Sequence, residues 1–172
     1  MKTVKGNLVT LVKKGQFDII IHGANIHNTM GSGIAEEIRR ELPEMWSADQ
    51  STIASDIRKL GHFSVAQLIK YETDTGNPFI DRPFGINLYT QATMGNYPDG
   101  SHRDNFDYEA FERGMYGINM MFSTYPIQPK FGIPKIGAGL GGGDWDRIVA
   151  IIKSIGFKDI TYVEFNPAEY GE

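Results

Sequence analysis

The stretch Ile136-Gly137-Ala138-Gly139-Leu140-Gly141-Gly142-Gly143-Asp144-Trp145 sets five glycines within seven residues, between a short apolar strand-like segment and a segment of helical spacing. Chemistry that needs such a loop is anion contact. Glycines remove the Cβ atoms that keep a backbone away from a phosphate, and the helix that follows offers unpaired N–H groups and the positive end of its dipole. A second small-residue turn, Met30-Gly31-Ser32-Gly33, again sets glycines against a helix start, so two loops can grip one diphosphate. The alternative for Ser32 and its neighbours is plain helix capping, and the two roles coexist. Before this turn lie His22, Asn25 and His27: a histidine moves protons near neutral pH, and an asparagine offers both a donor and an acceptor to a hydroxyl. Asp144 has two readings as well, a base that activates water or the N-cap of the next helix.

The elements that must position these residues alternate. Lys2 to Lys5 reads as a short opening strand. Asp18 to His22, with three consecutive isoleucines, reads as a strand buried on both faces and therefore mid-sheet. From Ser32 to Leu42 the residues Ile34, Ile38 and Leu42 share one helical face, with Glu36 and Glu37 in the first turn, Arg39 and Arg40 in the last and Pro43 beyond. Phe63 to Lys70 and Phe84 to Gln91 read as β segments flanking a turn-rich stretch, Glu72 to Pro83. Helical spacing returns from Asp107 to Phe122 and from Asp144 to Ile155, the latter stopped by Gly156. Lys130 to Ile136 and Ile160 to Phe165 supply two more strands. The strand ends at His22 and Asn25, and at Tyr89, Thr90 and Gln91, are expected to line one cleft, because open α/β sheets bind ligands at the C-terminal ends of their strands.

Composition narrows the function classes. The 172 residues are 41% hydrophobic and 22% charged, which is ordinary for a globular domain, and one domain over 1–172 is the expectation. A formal charge of −4 without a Lys/Arg stripe argues against nucleic acid, and no run of 18 apolar residues suggests a membrane span. With no cysteine there is no disulfide framework or thiol nucleophile, and a cytoplasmic setting is the expectation. His62, His102 and Arg103 sit in polar segments without metal-like spacing, so neither metal nor cofactor is expected, and the chain is expected to be a monomer. Gly137, Gly139 and Gly142 match the dinucleotide pattern G-x-G-x-x-G, with Glu164 downstream to hold a ribose. Only eight residues follow Glu164, so the second half of a Rossmann unit is lacking and an NAD-dependent oxidoreductase is a distant alternative. The loop also lacks the Lys-Ser/Thr ending of a P-loop.

Three motifs in order resemble the macro domain family across nearly the whole chain: Lys5-Gly6-Asn7-Leu8, then His22-Gly23-Ala24-Asn25 with Met30-Gly31-Ser32-Gly33-Ile34-Ala35, then Ile133-Pro134 through Trp145. The resemblance implies a three-layer α/β sandwich with a mixed central sheet between helices. It implies ADP-ribose across the strand ends, with ligand contacts at Asn7, Leu8, Gly31, Ser32, Gly33, Ile34, Gly137, Ala138, Gly139, Leu140, Gly141 and Gly142, and with Phe165 stacking on adenine. The wording Gly-Ile-Ala and Gly-Leu-Gly-Gly-Gly-Asp-Trp is closest to the ADP-ribose-1''-phosphate phosphatase branch. That branch implies His22 and Asp144 as a catalytic pair, Asn25 positioning the distal ribose, and hydrolysis of ADP-ribose-1''-phosphate to ADP-ribose and phosphate. A non-catalytic ADP-ribose reader, or an ADP-ribosyl hydrolase, is the alternative. Two departures stand out. An acidic adenine contact of the opening motif is Asn7 here, and the lysine and aspartate of the glycohydrolase branch are replaced by Gln91 and Gly141.

Overall fold

The computed structural model describes residues 1–31, 33–69, 74–92, 106–138 and 142–165. Six strands form one sheet: β1 (Lys2–Gly6), β2 (Ile19–Asn25), β3 (Phe63–Gln67), β4 (Phe84–Gln91), β5 (Phe131–Ile133) and β6 (Ile160–Phe165), in the order β1-β6-β5-β2-β4-β3. All neighbours are parallel except β3 against β4, so the sheet is mixed. This order, with its antiparallel edge, is not the 3-2-1-4-5-6 parallel order of a classic dinucleotide-binding domain.

Helices α1 (Leu8–Lys13), α2 (Gly33–Glu41) and α3 (Pro43–Gln50) cover one face, while α4 (Tyr108–Phe122) and α5 (Trp145–Ile155) cover the other. Period-2 alternation along β2 sorts the two cores. Ile19 and Ile21 pack with Ile86, Leu88, Phe111, Met115 and Ile148, whereas Ile20 packs with Val9, Ile38, Leu42 and Met45. The result is the three-layer sandwich expected from sequence, with β2 buried on both faces as its isoleucine run requires.

One residue ties three strands together at their N-terminal edge, through two backbone bonds and one from its carboxylate. Asp18 donates its backbone N–H to Lys130 O (2.9 Å), accepts Lys130 N–H on Oδ2 (2.7 Å), and accepts Phe84 N–H on its backbone oxygen (2.9 Å). These bonds bind the entries of β2, β5 and β4 together.

Three local outcomes differ from the sequence reading. Residues 8–13 form α1, a helix too short to show periodicity, started by Asn7, whose side chain accepts from Thr10 N–H at 2.9 Å. Pro43 does end α2, but it also opens α3 at its first helical position, where its missing N–H costs nothing. The strand expected over 130–136 is shortened to Phe131–Ile133, because Pro134 has no N–H to continue a ladder.

Packing beneath β5 is tight. A Cβ placed on Gly132 would stand 2.7 Å from the Phe17 ring, a rigid neighbour. We therefore expect Gly132→Ala to cost about 1–3 kcal/mol of folding stability by overpacking, read as a lower urea midpoint with unchanged slope.

Candidate functional site

Because β1, β6, β5, β2 and β4 run parallel, the loops that leave their C-terminal ends gather at one edge. Gly6 pairs with Phe165, so the β1–α1 turn and the end of β6 lie side by side. A cavity of about 580 Å³ opens there, within the range of small-molecule sites. Its walls are Gly6 and Leu8, the α2 face from Gly33 and Ile34 to Glu36, Glu37 and Arg40, then Pro134 and Lys135, and Tyr162 to Phe165 on β6. Of the residues expected to touch a ligand, Leu8, Gly33, Ile34 and Phe165 are thus brought onto one surface. Gly33 has φ 58°, a left-handed conformation, and a Cβ there would meet open space, so glycine serves the backbone turn into α2.

Asn7 does not line this cavity. It is buried, its Oδ1 caps α1, and its Nδ2 donates to Glu37 Oε1 at 2.8 Å. Glu37, read in the sequence only as a first-turn acid, is therefore a wall residue held from behind. Beside it, both carboxylate oxygens of Glu36 accept from Arg40 Nη1 (2.8 and 3.0 Å), which raises the Arg40 pKa above its ordinary value.

The glycine loop begins two residues past Lys135. Its neck is closed by Gly143 N–H donating to Gly137 O at 2.7 Å. Gly137 has φ 74°, and a Cβ on it would strike the Phe106 ring at 2.4 Å, while one on Gly143 would meet Gly137 O at 2.8 Å. The fold thus demands glycine at both ends of the loop, independently of any ligand. Ala138 is partly buried and Gly142 exposed, also left-handed at φ 74°, while Gly31 is exposed in the other turn. Ser32, Gly139, Leu140 and Gly141 lie outside the described residues, as do Asn166, Tyr170, His102 and Arg103. Asp144 realises the capping reading: its Oδ1 accepts from Asp146 N–H at 3.0 Å and from Arg147 N–H at 3.5 Å, with the residue itself exposed at the loop's exit.

At the end of β2, Asn25 spends its side chain on its own loop, donating to Thr29 Oγ1 (2.8 Å) and accepting from His27 N–H (2.8 Å). His27 in turn bonds Ser55 Oγ through Nδ1 at 2.8 Å. Tyr89 and Thr90, expected at the cleft, are buried at 1% and 0% exposure. The Tyr89 hydroxyl donates to Asp49 Oδ1 at 2.8 Å, and burial pushes its pKa up to about 12. Lys59, which no sequence pattern marked, reaches in from a 3₁₀ turn (Ile57–Lys59), donating to Ile26 O at 3.0 Å above the Tyr89 ring. These groups brace the loop from beneath.

His22 departs furthest from expectation. It shares the face of Ile20, so it points under α3 and is 0% exposed. Its Nε2 lies 2.6 Å from Asn87 Oδ1, while Asn87 Nδ2 donates to Met45 O (2.9 Å) and Ser64 Oγ (3.0 Å). With that amide orientation His22 must donate from Nε2, and Nδ1 is buried with no hydrogen-bond partner among the described residues. Burial pushes its pKa from 6.5 down to about 4. In this position the ring organises the core beneath α3 and is not part of the cavity wall, a place at odds with proton transfer to a substrate. Since the unfolded chain binds this proton and the folded one resists it, stability should be full above about pH 6.5 and fall as pH drops toward about 4, by at most roughly 3 kcal/mol. Urea titrations at pH 7 and 4.5 should show this loss in the wild type, and a smaller loss in His22→Gln.

Against known proteins, no family model matches the chain. It is 34% identical over 169 residues to the uncharacterized 17.5 kDa protein in the tk-vs intergenic region of Enterobacteria phage T4, covering 97% of each chain. Among solved structures it resembles Thermosipho africanus DarTG in complex with ADP-ribose, with TM-score 0.66 and 14% identity over 95% of this chain and 41% of that one. It also resembles the Oceanobacillus iheyensis macrodomain with ADP, with TM-score 0.64 and 15% identity over 98% and 84%. Edge cavity, strand order and paired glycine turns thus sit on a shared framework: the chain belongs to the family of the phage T4 17.5 kDa protein and has the macrodomain fold.

Proposed function

We propose that this protein binds ADP-ribose at the C-terminal edge of its sheet and releases phosphate from ADP-ribose-1''-phosphate. The observation that carries the binding reading is the 580 Å³ cavity walled by Leu8, Ile34 and Phe165, which opens beside the start of α2 and just before the glycine loop. A flat base fits between apolar walls, and Phe165, 55% exposed, offers a ring to stack on. The diphosphate then runs toward the backbone amides of the two glycine turns, where partial positive charge accumulates. The solved relatives bound to ADP-ribose and to ADP support the same ligand class.

For hydrolysis the chain offers Asp144, exposed where the loop meets α5. Asp144 takes a proton from water as the water oxygen bonds to phosphorus, the bond from phosphorus to the 1'' oxygen breaks, and that oxygen takes a proton from solvent. Loop amides stabilise the charge that builds on the phosphoryl oxygens. Asn25 holds the loop that faces the distal ribose. The burial of His22 favours the second reading, a binding module without turnover, because it removes half of the expected acid–base pair.

Calorimetric titration with ADP-ribose and phosphate release from ADP-ribose-1''-phosphate separate these readings. For the phosphatase we expect Asp144→Asn, which keeps the helix cap, to lower turnover roughly 10²- to 10⁴-fold with ADP-ribose affinity within a few fold of wild type. Tight ADP-ribose binding with no phosphate release from the wild type would leave the binding module, and absence of ADP-ribose binding would end both.

A further inference from the structure

The exit of the glycine loop carries a cation on a fixed platform. We propose that Arg147 recognises a phosphomonoester on the distal ribose, so that the 1''-phosphorylated ligand is held in preference to ADP-ribose itself; this rests on the ADP-ribose reading above.

Three observations converge on this residue. First, Arg147 has a seat. Its guanidinium carbon lies 3.7 Å from the centroid of the Tyr108 ring. Stacking on an aromatic face fixes the plane of a guanidinium and leaves the N–H groups along its edge to donate elsewhere. Second, the seat is tied to Asp144. The Tyr108 hydroxyl accepts Asp144 N–H at 2.8 Å, and Arg147 N–H donates to Asp144 Oδ1 at 3.5 Å. Ring, guanidinium and carboxylate therefore meet where the loop ends and α5 begins. Tyr108 also stands edge-on to Phe106, 5.2 Å between centroids, and a Cβ on Gly137 or Gly143 would meet that same Phe106 ring at 2.4 or 3.3 Å. The platform thus rests on the ring that shapes both ends of the glycine loop. Third, the Arg147 guanidinium is exposed and, among the described residues, enters no ion pair. Arg40 and Arg58 are committed to Glu36 and Asp56, and Arg113 donates to Leu60 O. Arg39 stacks as well, on Trp46, but belongs to the last turn of α2.

A phosphomonoester carries a charge of about −1.5 to −2 near neutral pH, where the hydroxyl it replaces carries none. Two of its oxygens match the planar donor fork of a guanidinium. The opposite end of the site is unsuited to it, since Glu36, Glu37 and Glu164 outnumber Arg40 and Lys135 on the cavity wall. Charge-assisted bonds of this kind are worth about 10- to 100-fold in affinity.

The test is calorimetric titration of the full chain with ADP-ribose, ADP-ribose-1''-phosphate and ADP-ribose-2'-phosphate, the last carrying the same charge on the other ribose. Asp144→Asn serves as the parent, so that the 1'' ester survives the measurement; Arg147→Gln and Arg147→Lys are made in it, each checked for an unchanged melting midpoint. The parent should bind the 1''-phosphate at least about tenfold more tightly than either other ligand. Arg147→Gln should bring the 1''-phosphate and ADP-ribose within about threefold of each other, and Arg147→Lys, which keeps the charge but not the fork, should restore part of the preference. If the parent binds the 1''-phosphate no better than ADP-ribose, if it favours both phosphates alike, or if the preference survives Arg147→Gln, the assignment to Arg147 is overturned while ADP-ribose binding stands. If neither parent nor wild type binds any of the three, the cavity reading itself falls, and this one with it.

Discussion

Parallel strands have no hairpin to set their register, so something else must hold their ends level, and here it is Asp18. By bonding Lys130 through both backbone and carboxylate while its own carbonyl takes Phe84 N–H, it aligns the starts of β5, β2 and β4. Everything at the opposite edge inherits that alignment. A one-residue slip would turn Ile19 and Ile21 toward α1–α3 and place His22 against α4 and α5, and it would move the turns that leave β2 and β5 relative to each other. The Asp18 carboxylate adds one bond to the two backbone bonds that level the starts of these three strands.

Beneath the edge, polar groups are linked rather than scattered. From His22 the bonds run through Asn87 and Ser64 to the Tyr89 hydroxyl and on to Asp49, across the sheet face that α3 covers. Such a buried chain stabilises a unique arrangement to the extent that its members are satisfied, and its open end here is His22 Nδ1, for which there is no partner among the described residues. Lys59 and Asn25 add two further ties at the β2 loop. The turn that follows β2 is thus held by side chains from within it and from the 3₁₀ turn beside it.

Sequence pattern carried most of the fold. The isoleucine run of β2, the cap Asp144 and the left-handed Gly156 after α5 were all readable because each is a local demand of backbone or burial. The six-residue α1 was not, since two turns cannot display a period, and neither was the double use of Pro43. At the candidate site, Leu8, Gly33, Ile34 and Phe165, singled out from motif order and the end of the last strand, share one cavity wall. His22 was misread although its parity with Ile20 was visible: a histidine on a strand buried on both faces points into a core unless the strand has already ended, and β2 continues to Asn25. The place of Glu37 on the cavity wall was not legible, because the bond that holds it comes from Asn7, thirty residues away, a contact no local pattern encodes.

The neck between Gly143 and Gly137 gives the glycine loop a modular character. That bond joins the start and the end of the loop, and its two glycines answer to close neighbours in the fold: Gly137 to the Phe106 ring, and Gly143 to the Gly137 carbonyl and Ile148. Closing a slightly longer or shorter loop over such a fixed neck costs little, since closure entropy grows only slowly with length. Changes of length inside such a neck therefore fall on residues other than the two glycines that the core constrains.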